Sequence, residues 1–449
     1  MLDASELLAS TPESFVCFLR DRSIRRFYFV WNRDTSMLES SHAELQPLAD
    51  AVHWDCRDFL EHEGIFCQIS SAHDTLLGAF IHRTVRGQGA GGVRYWHYDT
   101  VEAYLRDGLR LAIGMTRKNA LAGLWWGGGK GVMAHNRAVD KKDPAIREQL
   151  FREYGELITS LCGCYVTAED VGTHVADMRN VYRTTRFTTC VPEELGGSGN
   201  PSVPTARGVI AGMEAALEHT GEQGLSGKTV AVQGAGNVGG PLIGFLADRG
   251  VARILACDID AAVLERARGL AAGVPIETFR VEEGDPSFFE SECDIFAPCA
   301  IGAVLNPTTI PMLRARIVCG AANNQLEDAA RDDRALFERG IVYVPDFLTN
   351  RMGIVNCADE QAGRIPNDPL FERHLTREWR HSIPRMSEEV LRRSAETKTP
   401  PAAVATAMAD ELSLEPHPIF GHRGHGIIRG LVADRWHQLA APIKVDRHL

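Results

Sequence analysis

Thr229-Val-Ala-Val-Gln-Gly-Ala-Gly-Asn-Val-Gly239 decides how the second half of this chain folds. Five residues of strand composition run directly into Gly234-x-Gly236-x-x-Gly239, and Asn237 to Arg249 then carries helical spacing. Alone, the glycine pattern is a weak signal. Here a strand precedes it, a helix follows, and the next strand, Arg253-Ile-Leu-Ala-Cys257, ends at Asp258, 24 positions past Gly234. The glycines permit a tight turn and close approach to a pyrophosphate seated on the positive end of the helix. An acid at that distance accepts from ribose hydroxyls and repels a 2′-phosphate, so the expected cofactor is NAD rather than NADP. The cofactor candidates from this stretch are Gly234, Gly236, Asn237, Val238, Gly239 and Asp258, with Asp260 as a second acid.

Working outward, Ile317-Val-Cys319 and Ile341-Val-Tyr343 continue the strand series, and alternating strands and helices imply a parallel, doubly wound sheet. Upstream, Gly196-Gly-Ser-Gly-Asn-Pro201 reads as a turn-rich joint. Before it, Phe27–Trp31, Ile65–Ile69 and Leu77–Ile81 have strand composition. Leu105, Leu109, Ala112 and Ile113 recur at helical spacing, predicting a helix from Asp99, capped by Asp99 with Glu102, to about Asn119. A second helix over Ile146 to Leu161 leads into a short strand at Tyr165-Val-Thr167, which leaves Asp170 in the loop beyond. The fold expected is α/β with two domains: an N-terminal α/β substrate and oligomerisation domain, and a Rossmann-type NAD-binding domain, followed by a C-terminal helical segment. The ranges expected are 1–60 for an N-terminal extension, 61–204 and 205–360 for the domains, and 361–449 for helices folding back on the first domain.

The 449 residues allow two or three domains, and 44% hydrophobic with 24% charged residues is a globular composition. With 48 Lys+Arg against 59 Asp+Glu, the net charge of -11 argues against nucleic acid or an anionic membrane as partner. Eleven cysteines lie scattered without C-x-x-C or zinc spacing, so reduced thiols in a cytoplasm and no metal site are expected. Acids near Met1 and the lack of any long apolar run predict neither signal peptide nor membrane span.

The chemistry concentrates in Gly114-Met-Thr-Arg-Lys-Asn-Ala-Leu-Ala-Gly-Leu-Trp-Trp-Gly-Gly-Gly-Lys130. Lys118 and Lys130 flank a short apolar segment and what reads as a triple-glycine turn. Two cations near one pocket depress the pKa of the more buried, which suits a site gripping a small anion with a lysine near neutral pKa.

Three motifs now stand in order: this stretch, Cys164-Tyr-Val-Thr-Ala-Glu-Asp-Val-Gly-Thr-His-Val-Ala-Asp-Met178, and Thr229–Gly239. Asp294-Ile-Phe-Ala-Pro-Cys-Ala300, Gly320-Ala-Ala-Asn-Asn-Gln-Leu326 and Tyr343-Val-Pro-Asp-Phe347 join them. From about Glu63 to about Glu360 the chain resembles the glutamate/leucine/phenylalanine/valine dehydrogenase family, closest to its leucine/phenylalanine branch. The resemblance implies NAD-dependent, reversible deamination of an L-amino acid to its 2-oxo acid and ammonia, in a homo-oligomer. It implies that Lys118 binds the substrate carboxylate assisted by Asn324, that Lys130 polarises the attacking water, and that Asp170 exchanges protons with amine and water. Thr189 and Thr205 match positions near the amino acid and the nicotinamide carboxamide, although either also reads as a satisfied loop threonine. Gly91 and Gly92 match backbone lining the substrate pocket.

In the family's glutamate-specific branch a lysine stands where this chain has Ala90, so the resemblance implies a hydrophobic substrate. Met115, Ala168, Gly353, Ile354 and Cys357 match the remaining pocket positions. Asn350-Arg-Met-Gly353 departs from the family's Asn-Ala-Gly-Gly, and Arg351 or Met352 is expected to narrow or recharge the pocket. Trp125-Trp126 reads either as packing or as contact with a bulky substrate. His174 reads as a cap or packing residue, and His417, His422 and His425 as a solvated loop rather than metal ligands. Two other functions use the same residues: reductive amination of a bulky 2-oxo acid in biosynthesis, and a catalytically impaired NAD-binding regulator.

Overall fold

The computed structural model describes residues 3–55 and 57–439. Met1, Leu2, Cys56 and residues 440–449, the last of the expected C-terminal region, lie outside it.

Two sheets organise the chain. The first is built from β1 (Arg26–Asn32), β2 (Met37–Ser40), β3 (Gly64–Ile69), β4 (Leu76–Arg83), β5 (Gly89–Trp96), β6 (Gly127–Ala134) and β7 (Tyr165–Glu169). Its order is β2-β1-β3-β4-β6-β5-β7, antiparallel from β2 to β6 and parallel across β6-β5-β7. β1 and β2, from the segment read as an extension, are integral to this sheet.

The second sheet contains β8 (Thr229–Gln233), β9 (Arg253–Asp258), β10 (Ile276–Arg280), β11 (Ile295–Pro298), β12 (Ile317–Val318) and β13 (Val342–Tyr343). All its pairings are parallel and its order is β10-β9-β8-β11-β12-β13, the doubly wound arrangement. β8 has the bounds its composition predicts. Val230, Ala231 and Val232 are fully buried, as a strand covered on both faces requires.

Helix Val101–Leu121 packs across the first sheet and carries Lys118 in its last turn. Its cap is Thr100, whose Oγ1 accepts from Ala103 N at 3.1 Å, rather than the expected Asp99. Gly127-Gly-Gly129 is not a turn but the start of β6, and β5, also glycine-rich, went unpredicted. The reason is proximity. A Cβ on Gly128 would lie 1.9 Å from Thr116 Oγ1, and one on Gly91 2.0 Å from the Gly129 carbonyl. Glycine lets these strands and the helix above them approach so closely.

The C-terminal helices divide their packing. Helix Ile383–Thr397 lies on helix Ser202–His219 beside the second sheet, and Pro401–Leu412 lies on helix 101–121. His422 meets Glu63 at 2.8 Å, so this histidine is not solvated loop. His174 caps helix Val175–Tyr182. Among the described residues no helix is long and apolar enough to cross a membrane, and no cluster of His, Cys, Asp and Glu suits a metal ion.

Candidate active site

Where β5, β6 and β7 run parallel, Gly92 and Lys130 from within β5 and β6 and the carboxyl end of β7 border a cleft of about 190 Å³ that residues of the second half of the chain close. Lys118, Lys130, Asp170, Gly92, Met115 and Ala168 line one wall; Thr205, Val238, Asn323, Asn350, Gly353, Ile354 and Cys357 line the other.

Lys130 stands in β6 with 4% of its side chain exposed, and its Nζ lies 2.7 Å from Asp170 Oδ2. Asp170 follows β7 in a tight turn closed by Thr173, whose Oγ1 accepts from Asp170 N at 2.9 Å. Arg94 of β5 reaches the same Asp170 oxygen at 3.4 Å and holds Asp107 with two 3.0 Å bonds. Burial alone would raise the Asp170 carboxyl, but Lys130 and Arg94 pull it down to about 2. Burial lowers the Lys130 ammonium and Asp170 opposes the shift. The two therefore form a buried ion pair, charged on both sides.

Lys118, at the end of its helix, faces across the cleft: Nζ donates to Asn323 Oδ1 at 3.2 Å, and Asn350 Nδ2 donates to the same oxygen at 2.8 Å. Burial lowers this ammonium to about 8, with Asp346 acting against it. Asn323, not Asn324, is thus the residue beside Lys118. Asn324 adopts φ 51°, turning its side chain out of the cleft lining while its N–H donates to Asp346 Oδ2 at 2.9 Å.

Other expectations divide in the same way. Thr205 lines the cleft and donates to the Pro201 carbonyl at 2.8 Å. Thr189 does not; it is buried, donating to the Thr167 carbonyl at 3.3 Å, and Cys190 next to it enters the lining instead. Gly91 is packed under Met115 and Gly129, leaving Gly92 at the surface of the cleft. Ala90 is fully buried in the apolar core and brings no charge. Arg351 neither narrows nor recharges the pocket: wholly buried, it donates to the carbonyls of Leu121, at 2.8 Å, and His381. Met352 packs with Ala122, Ala211, Val355 and Ile383. Trp125 and Trp126 line a separate 330 Å³ cavity that shares no residue with the cleft, with Arg86 over the Trp125 ring.

Sequence reasoning missed Arg94, Glu169, Cys190, Asn323 and Asn350. Asn323 and Asn350 stood inside quoted motifs, and for Asn323 a one-residue register decided the outcome. The Cys190 and Cys357 sulfurs lie 3.5 Å apart, a contact between distant segments that no local pattern carries.

The glycine loop fits a dinucleotide. Gly234 takes φ 90°, and a Cβ on Gly239 would fall 1.9 Å from the Gly234 carbonyl, whereas Gly236 faces open space. Asp258 braces the loop by accepting from Ala235 N at 2.9 Å. It also lines a pocket of about 510 Å³ with Ile259, Val281, Ala300 and Ile301, apolar walls suited to an adenine. Asp260 instead caps the next helix, accepting from Ala262 N at 2.8 Å. Val238, in the same loop, lines the cleft that holds Lys118 and Lys130, so one loop borders both sites.

A family model described as Glutamate/Leucine/Phenylalanine/Valine dehydrogenase matches residues 196–413, and one described as Glu/Leu/Phe/Val dehydrogenase, dimerisation domain, matches 73–187. The leucine dehydrogenase of Geobacillus stearothermophilus is 44% identical over 67% of this chain and 78% of its own length. The valine dehydrogenase of Streptomyces coelicolor is 38% identical over 75% and 88%. Among solved structures, L-tryptophan dehydrogenase from Nostoc punctiforme superposes with a TM-score of 0.64 at 31% identity, covering 78% of this chain and 96% of that one.

Proposed function

The chain belongs to the glutamate/leucine/phenylalanine/valine dehydrogenase family, and from that premise we propose that its cleft deaminates leucine-sized aliphatic L-amino acids, with Lys118, Lys130 and Asp170 sharing the work. Its likeness to the leucine and valine dehydrogenases within that family supports an NAD-dependent oxidoreductase acting on hydrophobic amino acids. The observation that carries the assignment of roles is the buried Lys130–Asp170 pair at 2.7 Å, with Lys118 in the same cleft.

In this reading Lys118, backed by Asn323, anchors the α-carboxylate. Charge-assisted contacts of this kind are strong when water is excluded. Bound at the glycine loop, NAD supplies the hydride acceptor. Lys130 polarises the water that attacks the imine carbon, and Asp170 exchanges protons with the substrate nitrogen and that water. Arg94 holds Asp170 in place from behind. Thr205, Val238 and Gly353 edge the cofactor side.

The side chain would enter between Met115, Ala168, Cys190, Ile354 and Cys357. The Cys190 and Cys357 sulfurs stand 3.5 Å apart in this lining, and a cleft of about 190 Å³ favours a branched aliphatic chain over an indole ring. An apolar pocket discriminates by only about 1–3 kcal/mol per methylene, so neighbouring aliphatic substrates should also turn over. The test is kcat/KM for leucine, valine, norleucine, phenylalanine and tryptophan with NAD. Leucine or valine leading by at least about tenfold supports the reading; tryptophan leading would refute the size assignment but not the reaction.

A homo-oligomer, with the protein in a reducing cytoplasm, completes the proposal. It draws on the dimerisation-domain match over 73–187 and on ten described cysteines that are all free. Light scattering on the purified protein checks the first part.

A further inference from the structure

Glu169, the last residue of β7, lines the same cleft as Lys118 and Lys130. One of its carboxyl oxygens, Oε2, is buried with no hydrogen-bond partner, and the other receives only Asn200 Nδ2 at 3.3 Å. No described cation pairs with it. The groups facing it are Asp170 beside it, Asp177 from helix 175–182, the Cys190 thiol and the Asn200 amide. A buried acceptor without a donor is costly in a folded protein unless a ligand or a proton completes it.

Asp170 cannot fill that role. Its ion pair with Lys130 and its contact with Arg94 fix it as a carboxylate, so it can pass a proton on but not keep one. Deamination at neutral pH releases one proton per turnover, because an ammonium substrate must first become a free amine. We propose that Glu169 is the proton reservoir of this active site, taking that proton from the substrate nitrogen by way of Asp170 and releasing it to solvent. An N–H bond of the substrate breaks, an O–H bond forms at Glu169 Oε2, and the electron pair stays on nitrogen. That pair then forms the C=N bond as hydride leaves Cα. The acid afterwards gives its proton to water at the open side of the cleft, near Asn200. Burial, then the neighbouring Asp177 and Asp170, raise the Glu169 carboxyl to about 7, so it exchanges protons in the working range.

The proposal rests on the deamination reading. Its test is the pH profile of kcat/KM for leucine deamination, from about pH 6 to pH 10, for the full-length protein, Glu169→Gln and Glu169→Asp. The wild type should rise through a break near 7, with a second near 8 from Lys118. Glu169→Gln should lose the lower break and about 10²-fold in kcat/KM at pH 8. Glu169→Asp should keep a lower break, displaced by its shorter reach. An unchanged Glu169→Gln profile, or a drop equal at every pH with the break still in place, overturns the proposal. Should Glu169→Gln fail to fold, a lower break in Glu169→Asp that does not move has the same force. A wild type silent with every amino acid defeats the deamination reading itself, and does so without reference to either variant.

Discussion

Burial sets the Lys118 ammonium at about 8, whereas Lys130, locked to Asp170, is a structural charge as well as a chemical one. Lys118 is cationic below that value and neutral above it, so anchoring of a carboxylate should weaken as pH rises. A 2-oxo acid has no ammonium of its own to confuse the measurement. Its Kd should rise toward a limit of about tenfold per pH unit above 8, and Lys118→Gln should abolish the slope; calorimetric titration reads both. Lys130→Met should lower kcat by about 10²–10⁴-fold, the range of a lost proton-handling group, with the fold intact by circular dichroism. Glu169 carries a linked prediction about stability. Its folded pKa lies above the unfolded value of 4.5, so between pH 4.5 and 7 the native state holds more protons than the unfolded one, and stability falls as pH rises through that window. Glu169→Gln should therefore melt above the wild type at pH 8 and with it near pH 4.5. The reactive lysines and Asp170 were legible because each sits at a fixed place in a motif. Glu169 was in plain view beside Asp170, but its significance is burial without a partner, and no spacing encodes that. Asn323 and Asn324 exchanged places because φ 51° at Asn324 turns the local register, a backbone state that asparagine tolerates but does not announce.

At the scale of elements, the strands that matter most were the hardest to read. Gly127-Gly-Gly129 has turn composition, and a run of glycine is poor in strand propensity. Only the helix lying 101–121 across these strands explains the choice, and that contact is tertiary. β8 was legible because a strand buried on both faces is a plain apolar run, and the doubly wound order followed from its glycine loop. Gly128→Ala should separate helix from strand. The new Cβ would meet Thr116 Oγ1 at 1.9 Å and Thr116 N at 2.3 Å, and the backbone atom cannot rotate away. Overpacking of this kind costs about 1–3 kcal/mol, and here it displaces Lys118 and Lys130 relative to each other. The measurable result is a lower urea midpoint together with a kcat/KM loss larger than the stability loss alone produces. Thr100→Ala, which removes the cap at the far end of the same helix, should cost about 1 kcal/mol and leave kcat unchanged.

At the scale of the whole molecule two sheets border one cleft, and one carboxylate gathers the chain at 190–198. Glu360 accepts from Cys190 N at 2.8 Å, Val191 N at 3.3 Å, and Ser198 N and Oγ at 2.9 and 2.5 Å. Glu360→Gln turns an amide N–H₂ toward donors and should raise KM while costing about 2–3 kcal/mol, read by substrate titration and chemical unfolding. The turn-rich composition of 196–201 is legible in its glycines; the carboxylate that gathers it is not, because Glu360 is 162 positions from Ser198. The C-terminal helices were foreseen as helices, but their division between the two sheets depends on which faces they bury.

Arg351 has a further bearing on how such an enzyme meets its surroundings. Its guanidinium joins the end of the helix that carries Lys118 to the 381 segment through backbone carbonyls alone, in a place no counter-ion enters. Dissolved salt weakens exposed ion pairs but does not reach an enclosed cation bound to peptide dipoles. The bearing on which the substrate's anchor rests is thus blind to ionic strength. Brine that loosens the exposed ion pairs of the surface would leave this seat of the substrate-gripping helix in place.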